Sequence, residues 1–314
     1  MLKVAGFFAG SGGIELGFSQ AGFNIIYANE INPLAAKIYE ANFKHKVDIK
    51  DIKDVDNVPN CDVIVGGFPC QSFSLAGLKL GFNDKVNGNC FFELARMIKL
   101  KNPKAFMLEN VKGLVNHDKG KTLNIIKNTL KDLGYYLHIN IYNAKEYANI
   151  PQNRERIFII GFKDKRAYER YKPLKKVPLT KSIKDFVDFN ALLDEKYYIK
   201  ESFTRYELVK DIEKYKIYTI AFKQARTNKD NVCPCLLASM GKGGGRTPFI
   251  KTSDDRIRVL TPKECFKLQG YPDNFIYPKD ISKTQLYIAA GNSVVVPLIK
   301  EIALSIKEAL KYNL

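Results

Sequence analysis

Residues 63–74 read VIVGGFPCQSFS. Val63, Ile64 and Val65 make a short, continuous apolar run of the kind found in a strand covered on both faces. Gly66 and Gly67 end it, and Pro69 fixes its own φ while removing a donor. Cys70 is therefore expected to emerge from a stiff turn at the carboxyl end of a buried strand, the edge where open α/β sheets place ligands. A cysteine is a nucleophile only as its thiolate, and an unperturbed thiol ionises near pH ~8.5. Free cysteine is also among the most buried residue types. Gln71, Ser72 and Ser74 suit a loop better than a core, but position alone leaves both readings of Cys70 open.

The 314 residues are enough for one large α/β domain plus a smaller one. No stretch approaches the roughly 18 uninterrupted apolar residues of a membrane span. MLKVAGFFAG runs into glycines and Glu15, which makes a poor signal peptide, so a cytoplasmic location is expected. The 50 Lys and Arg against 33 Asp and Glu, a net charge of +17, are the electrostatic footprint of a protein that binds a polyanion. Six cysteines at 61, 70, 90, 233, 235 and 265 contain no CxxC pair, and the three histidines are scattered. No metal site and no disulfide framework are expected.

In chain order, a strand over Leu2–Phe8 leads into Gly10-Ser-Gly12-Gly13 and a helix through about Ala21. Such a turn lets a ligand approach backbone amides. The dinucleotide fingerprint needs a third glycine where Glu15 stands, which disfavours a phosphate cradle. The next strand, Asn24–Ala28, ends at Glu30, about twenty residues beyond the turn, the spacing at which an acid meets ribose hydroxyls. A helix over Pro33–Asn42 follows, and Lys46–Ile49 reads as a third strand carrying a second acid, Asp48. Beyond Cys70, residues 75–89 are too irregular for a helix and long enough for a lid. After a helix at Phe91–Leu100, a strand at Ala105–Leu108 stops at Glu109, one strand over from Cys70 if the sheet is wound sequentially.

Lys121–Leu133 is an amphipathic helix capped by Gly134. Strands at Leu137–Tyr142 and Arg156–Phe162 should form an antiparallel hairpin at the sheet edge. On that hairpin Gln152-Asn-Arg154-Glu-Arg156 places two arginines one residue apart, hence on one face of a strand. From about Tyr171 the chain becomes rich in Lys, Tyr and Asp, and Gly241-Lys-Gly-Gly-Gly245-Arg246 suits close approach to a nucleic-acid groove. Thr261-Pro262 caps a helix over Lys263–Gln269. Gly291-Asn292-Ser293 should open a final helix, Pro297–Leu310, that returns to the first domain.

Taken together, FAGSGG, the acid after the second strand, GFPCQSFS, ENV, QNRER, RVLTPKEC with QGYP, and AGNSV resemble the cytosine-5 DNA methyltransferases, in particular the small bacterial enzymes of restriction-modification systems. The similarity covers residues 2–162 and about 256–310. It implies an S-adenosylmethionine-dependent, Rossmann-like, mostly parallel sheet with an antiparallel edge hairpin, plus a smaller β-rich target-recognition domain. The expected partition is 1–172 with 288–314 for catalysis, and 173–287 for target recognition and hinge.

What the resemblance implies at the site is specific. Cys70 adds to C6 of a cytosine flipped out of duplex DNA, and Glu109 serves N3. Arg154 holds the cytosine O2 and supports the carboxylate, with Arg156 a more distant support or a phosphate contact. Phe8, Gly10, Gly12 and Gly13 surround the methionine part of S-adenosylmethionine. Glu30 takes the ribose, Ile31 and Ile49 sandwich the adenine, and Asp48 reads its amine. Pro69, Asn292 and Val294 close the pocket. The candidate DNA contacts are Gln71 and Ser74 beside the thiol, Lys85 in the lid, and Lys242 and Arg246 in the glycine-rich loop. A cognate restriction endonuclease is a functional partner, and the protein is expected to be a monomer.

One departure concerns the lid, which reads Asp84-Lys-Val-Asn-Gly88 where the family has D-x-R-G, so Lys85 would stand in for an arginine as a point charge. The nearest alternative is a cytosine-5 transfer-RNA methyltransferase of the same fold. A nicotinamide-dependent oxidoreductase would use the glycine turn and the acid, but leaves GFPCQ and the positive charge without a purpose. A non-catalytic DNA-binding protein would account for the charge alone.

Overall fold

The computed structural model describes residues 1–69, 90–202, 206–221, 223–242 and 247–311. Cys70, Gln71, Ser74, Lys85 and Arg246 lie outside the described residues, as does the side chain of Lys242.

The elements follow in order as β1 (Lys3–Phe7), α1 (Gly13–Gln20), β2 (Asn24–Asn29), α2 (Pro33–Glu40), β3 (Val63–Gly67), α3 (Cys90–Lys101), β4 (Ala105–Val111) and α4 (Lys121–Asp132). Then come β5 (Tyr136–Asn143), α5 (Ala144–Tyr147), β6 (Gln152–Asn153), β7 (Glu155–Phe162) and α6 (Lys165–Arg170). The later elements are β8 (Ile217–Ala221), β9 (Gln224–Arg226), β10 (Cys233–Pro234), β11 (Phe249–Lys251), β12 (Ile257–Val259), α7 (Pro262–Leu268), α8 (Lys283–Asn292) and α9 (Val296–Leu310). The chain divides into two compact units. The first is Met1–Tyr142 with Glu155–Lys175 and Val296–Leu314, and the second is Asn143–Arg154 with Lys176–Val295.

The first unit is a six-stranded sheet in the order β2-β1-β3-β4-β7-β5. β1 pairs in parallel with β2 and β3, and β3 with β4, while β7 runs antiparallel to β4. Val4, Ala5, Val63, Ile64 and Val65 are fully buried, as strands covered on both faces require. One cluster packs Phe7, Phe68, Phe91, Leu94, Met97, Phe106, Leu108, Ile126, Leu130 and Tyr135. Each such side chain contributes roughly 1.5–3 kcal/mol by leaving water. Gly161 stands opposite Phe106, whose ring fills the space of the missing side chain: a Cβ there would fall 2.1 Å from Cζ. α9 packs on α1 at Gly17, where a Cβ would meet Ile299 at 2.6 Å.

Two local expectations are corrected, and the expected edge hairpin is found with a different connection between its strands. Lys46–Ile49 makes a single parallel bridge, Asn29 to Asp48, in place of a strand. The Asn29 side-chain amide donates to the carbonyls of both Asp48 and Lys50, which turns the chain away after one residue. β5 is the sheet edge and β7 lies between it and β4, but the segment joining them contains α5 and β6 and belongs to the second unit. Gly291 and Asn292 close α8, with Ser293 as its C-cap, and do not open the last helix. Gly291 is needed because a Cβ there would fall 2.2 Å from the Leu237 carbonyl carbon.

The second unit holds a four-stranded antiparallel sheet, β12-β11-β8-β9, around Val209, Ile212, Tyr218, Phe249 and Ile257. α7 opens with a full capping box: Thr261 accepts from the Glu264 amide and Glu264 accepts from the Thr261 amide. The Glu264 carboxylate also takes both arms of the fully buried Arg258 at 2.9 and 2.7 Å. Among the described residues one span, Lys283–Leu310, has the length and hydropathy of a membrane crossing, but it consists of the two separate helices α8 and α9.

Candidate active site

The carboxyl ends of β3 and β4 meet in register, with Gly67 opposite Glu109. A Cβ on Gly67 would lie 3.2 Å from Glu109 Oε2, so the glycine leaves room for the carboxylate. Glu109 Oε1 is 3.0 Å from Arg156 Nε, and both side chains are largely buried, at 12% and 14% exposure. A forked guanidinium beside a carboxylate in a poorly solvated place holds it in one orientation. Asn110, 3% exposed, donates its side-chain amide to the Phe68 carbonyl at 2.9 Å. That bond anchors the chain two residues before Cys70 to the end of β4. Lys112 pairs with Glu155 at 3.0 Å nearby, at greater exposure.

The two arginines do not share a face. Arg156 lies on β7 in the first unit, whereas Arg154 precedes that strand and belongs to the second unit. A tight turn, Arg154 N–H to Gln152 C=O at 3.0 Å, breaks the strand alternation. Arg154 is 3% exposed, and its guanidinium donates to the carbonyls of Leu236 (2.9 Å), Gly291 (3.2 Å) and Ser293. It also lies 3.5 Å from Cys235 Sγ. Gln152 joins the same buried network through Leu268 and Gln269, and Gln269 through Ala290. The arginine recorded on the Glu109 carboxylate is Arg156, whereas the recorded bonds of Arg154 run to backbone carbonyls.

At the same carboxyl edge, where the neighbouring strand β1 ends beside β3, Phe8 takes φ +56°, a left-handed conformation uncommon for a bulky residue. It swings the chain out of β1 so that Ala9 N–H reaches the Asn29 carbonyl and Gly10 N–H donates to Glu30 Oε2 at 2.8 Å. The second Glu30 oxygen accepts from Asn32 N–H at 2.9 Å. Gly12, at φ +85°, packs where a Cβ would strike the Phe43 ring. Among the described residues a Cβ on Gly10 would meet nothing within 4 Å, so nothing described closes the turn on that side. Gly13 begins α1. Tyr27 donates its hydroxyl to Asp48 Oδ2 at 2.8 Å, and burial together with this bond pushes the phenol pKa up.

These residues fit an adenosyl group. Glu30 is fixed by two amides and still has acceptor capacity for hydroxyls. Asp48 is held at the same sheet edge by its bridge to Asn29. Ile31 and Ile49, 60% and 48% exposed, present apolar surface where an aromatic base could stack. Pro69 is exposed, and Asn292 (exposed) and Val294 (buried) lie in the second unit. Lys242 ends a short 3-10 turn, Ala238–Lys242. Sequence reasoning did not assign Asn110, Tyr27 or Asn29. The signal for Asn110 was present, as a second polar residue directly after Glu109 at the end of an apolar strand.

Comparison with known proteins supplies the family. The C-5 cytosine-specific DNA methylase model matches residues 2–308. The chain is 46% identical to Type II methyltransferase M.Bsp6I of Bacillus sp. (strain RFL6), over 99% of this chain and 100% of the relative. It is 40% identical to Type II methyltransferase M1.ScrFI of Lactococcus lactis subsp. cremoris, over 98% and 79%. Among solved structures, the Dnmt2 methyltransferase of S. pombe superposes with a TM-score of 0.76 at 20% identity, covering 99% and 100% of the two chains. The fold, the order of the sheet and the match along nearly the whole length agree: this chain belongs to the C-5 cytosine-specific DNA methylase family.

Proposed function

We propose that the protein transfers a methyl group from S-adenosylmethionine to C5 of a cytosine flipped out of a short, specific duplex sequence, and that it works as a monomer in the bacterial cytoplasm. The observation that carries this reading is the Glu109–Arg156 pair, set across the β3–β4 register from Gly67, three residues before Cys70. Cytosine C6 is a poor electrophile. Cys70 as thiolate forms the bond to C6 while Glu109 protonates N3, which drains charge from the ring and makes C5 electron-rich. Arg156 keeps the Glu109 carboxyl aimed and stabilises it when ionised. After methylation, a base removes the C5 proton and the C5–C6 double bond re-forms. The Cys70 thiolate leaves and N3 gives its proton back.

Glu30, Ile31, Asp48, Ile49 and the Phe8–Gly13 turn would hold the adenosyl and methionine parts, with Pro69, Asn292 and Val294 completing the pocket. The cofactor supplies an electrophilic methyl carried on a sulfonium. The second unit would read the target, with Lys242 and Arg246 as its contacts and Gln71, Ser74 and Lys85 meeting the DNA near the thiol. Flipping a base out of the stack costs roughly a few kcal/mol, which the charge of +17 helps offset by neutralising phosphates. The names of the relatives support a modification enzyme whose functional partner is a restriction endonuclease.

The test is transfer of labelled methyl to duplex DNA with 5-methylcytosine as product, abolished in Cys70→Ser while duplex binding persists. Methylation of transfer RNA in preference to duplex DNA would contradict the reading.

A further inference from the structure

Glu15 is the third residue of α1, directly after the glycine turn, and the reaction outlined above gives it no task. Its side chain is 1% exposed, and among the described residues neither carboxyl oxygen has a hydrogen-bond partner outside Glu15 itself. The packing is built around it. Gly6, in the middle of β1, has no side chain where a Cβ would lie 2.1 Å from Glu15 Oε1, so any larger residue there would displace the carboxyl. An ionised carboxylate buried without partners costs several kcal/mol. The neutral acid is therefore the form that this packing accommodates.

The surroundings can sense charge. Burial pushes the Glu15 carboxyl up to about 8; its own backbone amide opposes the shift and the Glu30 carboxylate adds to it. Glu30 is also the acid that accepts the Gly10 amide at the turn. From α2, the buried Tyr39 faces the same region, its hydroxyl joined to His45 Nε2 at 2.9 Å. The Tyr39 phenol is pushed up by burial and, secondarily, by Glu15, while burial holds His45 below its usual range. β3 carries no ionisable group over Val63–Gly67. On α9, packed against α1, the cations are Lys300 and Lys307, and Lys307 is bound to the Ala21 carbonyl at 2.8 Å. The nearby ionisable residue that raises Glu15 is thus the acid at the ligand side of the turn. A positive charge placed there acts in the opposite sense.

We propose that Glu15 is a specificity-determining acid of the cofactor pocket, protonated in the free protein, which releases its proton to solvent when the positively charged S-adenosylmethionine binds and recovers it when the neutral product takes its place. The inference rests on reading the glycine turn as that pocket. Its consequence is a preference for donor over product that grows as the pH rises towards 8, because binding that releases a proton strengthens with pH. Charge balances throughout: one sulfonium is gained beside the site and one proton is lost to the buffer.

The test is calorimetric titration of the full chain without DNA at pH 7, in buffers of different ionisation enthalpy, with S-adenosylmethionine and S-adenosylhomocysteine in turn. Both ligands carry the same amine and carboxylate, so their own titration cancels in the difference. Wild type should release about 0.5 to 1 proton more with the sulfonium ligand. Its affinity for that ligand should rise up to roughly tenfold per pH unit between 6 and 8 relative to the product. Glu15→Gln, which has the shape of the neutral acid, should bind both ligands with no difference in proton release. Equal release by wild type with the two ligands overturns the inference even if the variant fails to fold, and so does an unchanged difference in Glu15→Gln. If neither ligand binds wild type, the reading of the glycine turn as the cofactor pocket falls instead.

Discussion

Arg154 and Arg156 stand two positions apart in the sequence, and their surroundings differ in kind. Arg156 sits on a strand of the first unit and meets a carboxylate; Arg154 ends a segment of the second unit and meets backbone carbonyls. A guanidinium facing a largely buried carboxylate can control that group's orientation and charge, and so take part in proton chemistry. Bound to the carbonyl of Leu236 and to those of Gly291 and Ser293 at the end of α8, it ties two segments of the second unit together. The lesson is that the partner, and not the residue type or the motif, decides whether a buried cation serves chemistry or architecture.

Removing each arginine in turn separates the two roles. Glu109→Gln should lower the rate of methyl transfer by about 10²–10⁴-fold in single-turnover assays, and Arg156→Ala should do the same while also costing stability, because it leaves a largely buried carboxylate without its cation. Arg154→Ala should instead destabilise the protein by several kcal/mol in denaturant titration, since each carbonyl left without a donor costs about 1–3 kcal/mol. A folded, fully stable Arg154→Ala with the larger loss of rate would reverse the assignment.

The next effect is a slope with pH. Glu15 holds its proton to about pH 8 when folded, against an ordinary value of 4.5. Between those limits the folded chain binds more protons than the unfolded one. The stability that Glu15 contributes is therefore complete below about pH 4.5 and is lost as the pH rises through about 8, a change on the order of a few kcal/mol. Glu15→Gln should flatten that part of the stability profile measured by urea unfolding. An unchanged profile would mean that the acid is ionised, or solvated, in the folded state.

The smallest effect belongs to the second unit. Thr261→Ala removes one half of the α7 capping box and should cost about 1 kcal/mol. Arg258–Glu264 keeps its own bonds, so a loss much larger than that would show that cap and ion pair act as one network.

Much of the site was legible because it follows from strand ends. A buried run that stops at glycines, and a second that stops at Glu109, put both at one carboxyl edge when the strands are neighbours, and they are. The Asp48 strand was not legible in its true form, since a single side chain, Asn29, reduces it to one bridge. The arginines were misread because period-two alternation assumes an unbroken strand, and a turn at Gln152 breaks it. Glu15 was noticed only as a glycine that is absent, since burying a lone carboxyl contradicts what composition leads one to expect. The DNA contacts stay as sequence expectations, because specificity in an irregular unit depends on which side chains reach the base edges, and no periodicity marks those.

The central claim is that a nucleophile leaves β3 beside the Glu109–Arg156 pair. It is tested most directly by incubating the protein and S-adenosylmethionine with a duplex carrying 5-fluorocytosine in the target sequence, where the missing C5 proton prevents release. The expected product is a denaturant-resistant adduct that peptide mass spectrometry maps to Cys70 and that Arg156→Ala forms far more slowly. No adduct, or one mapped to another cysteine, would contradict it.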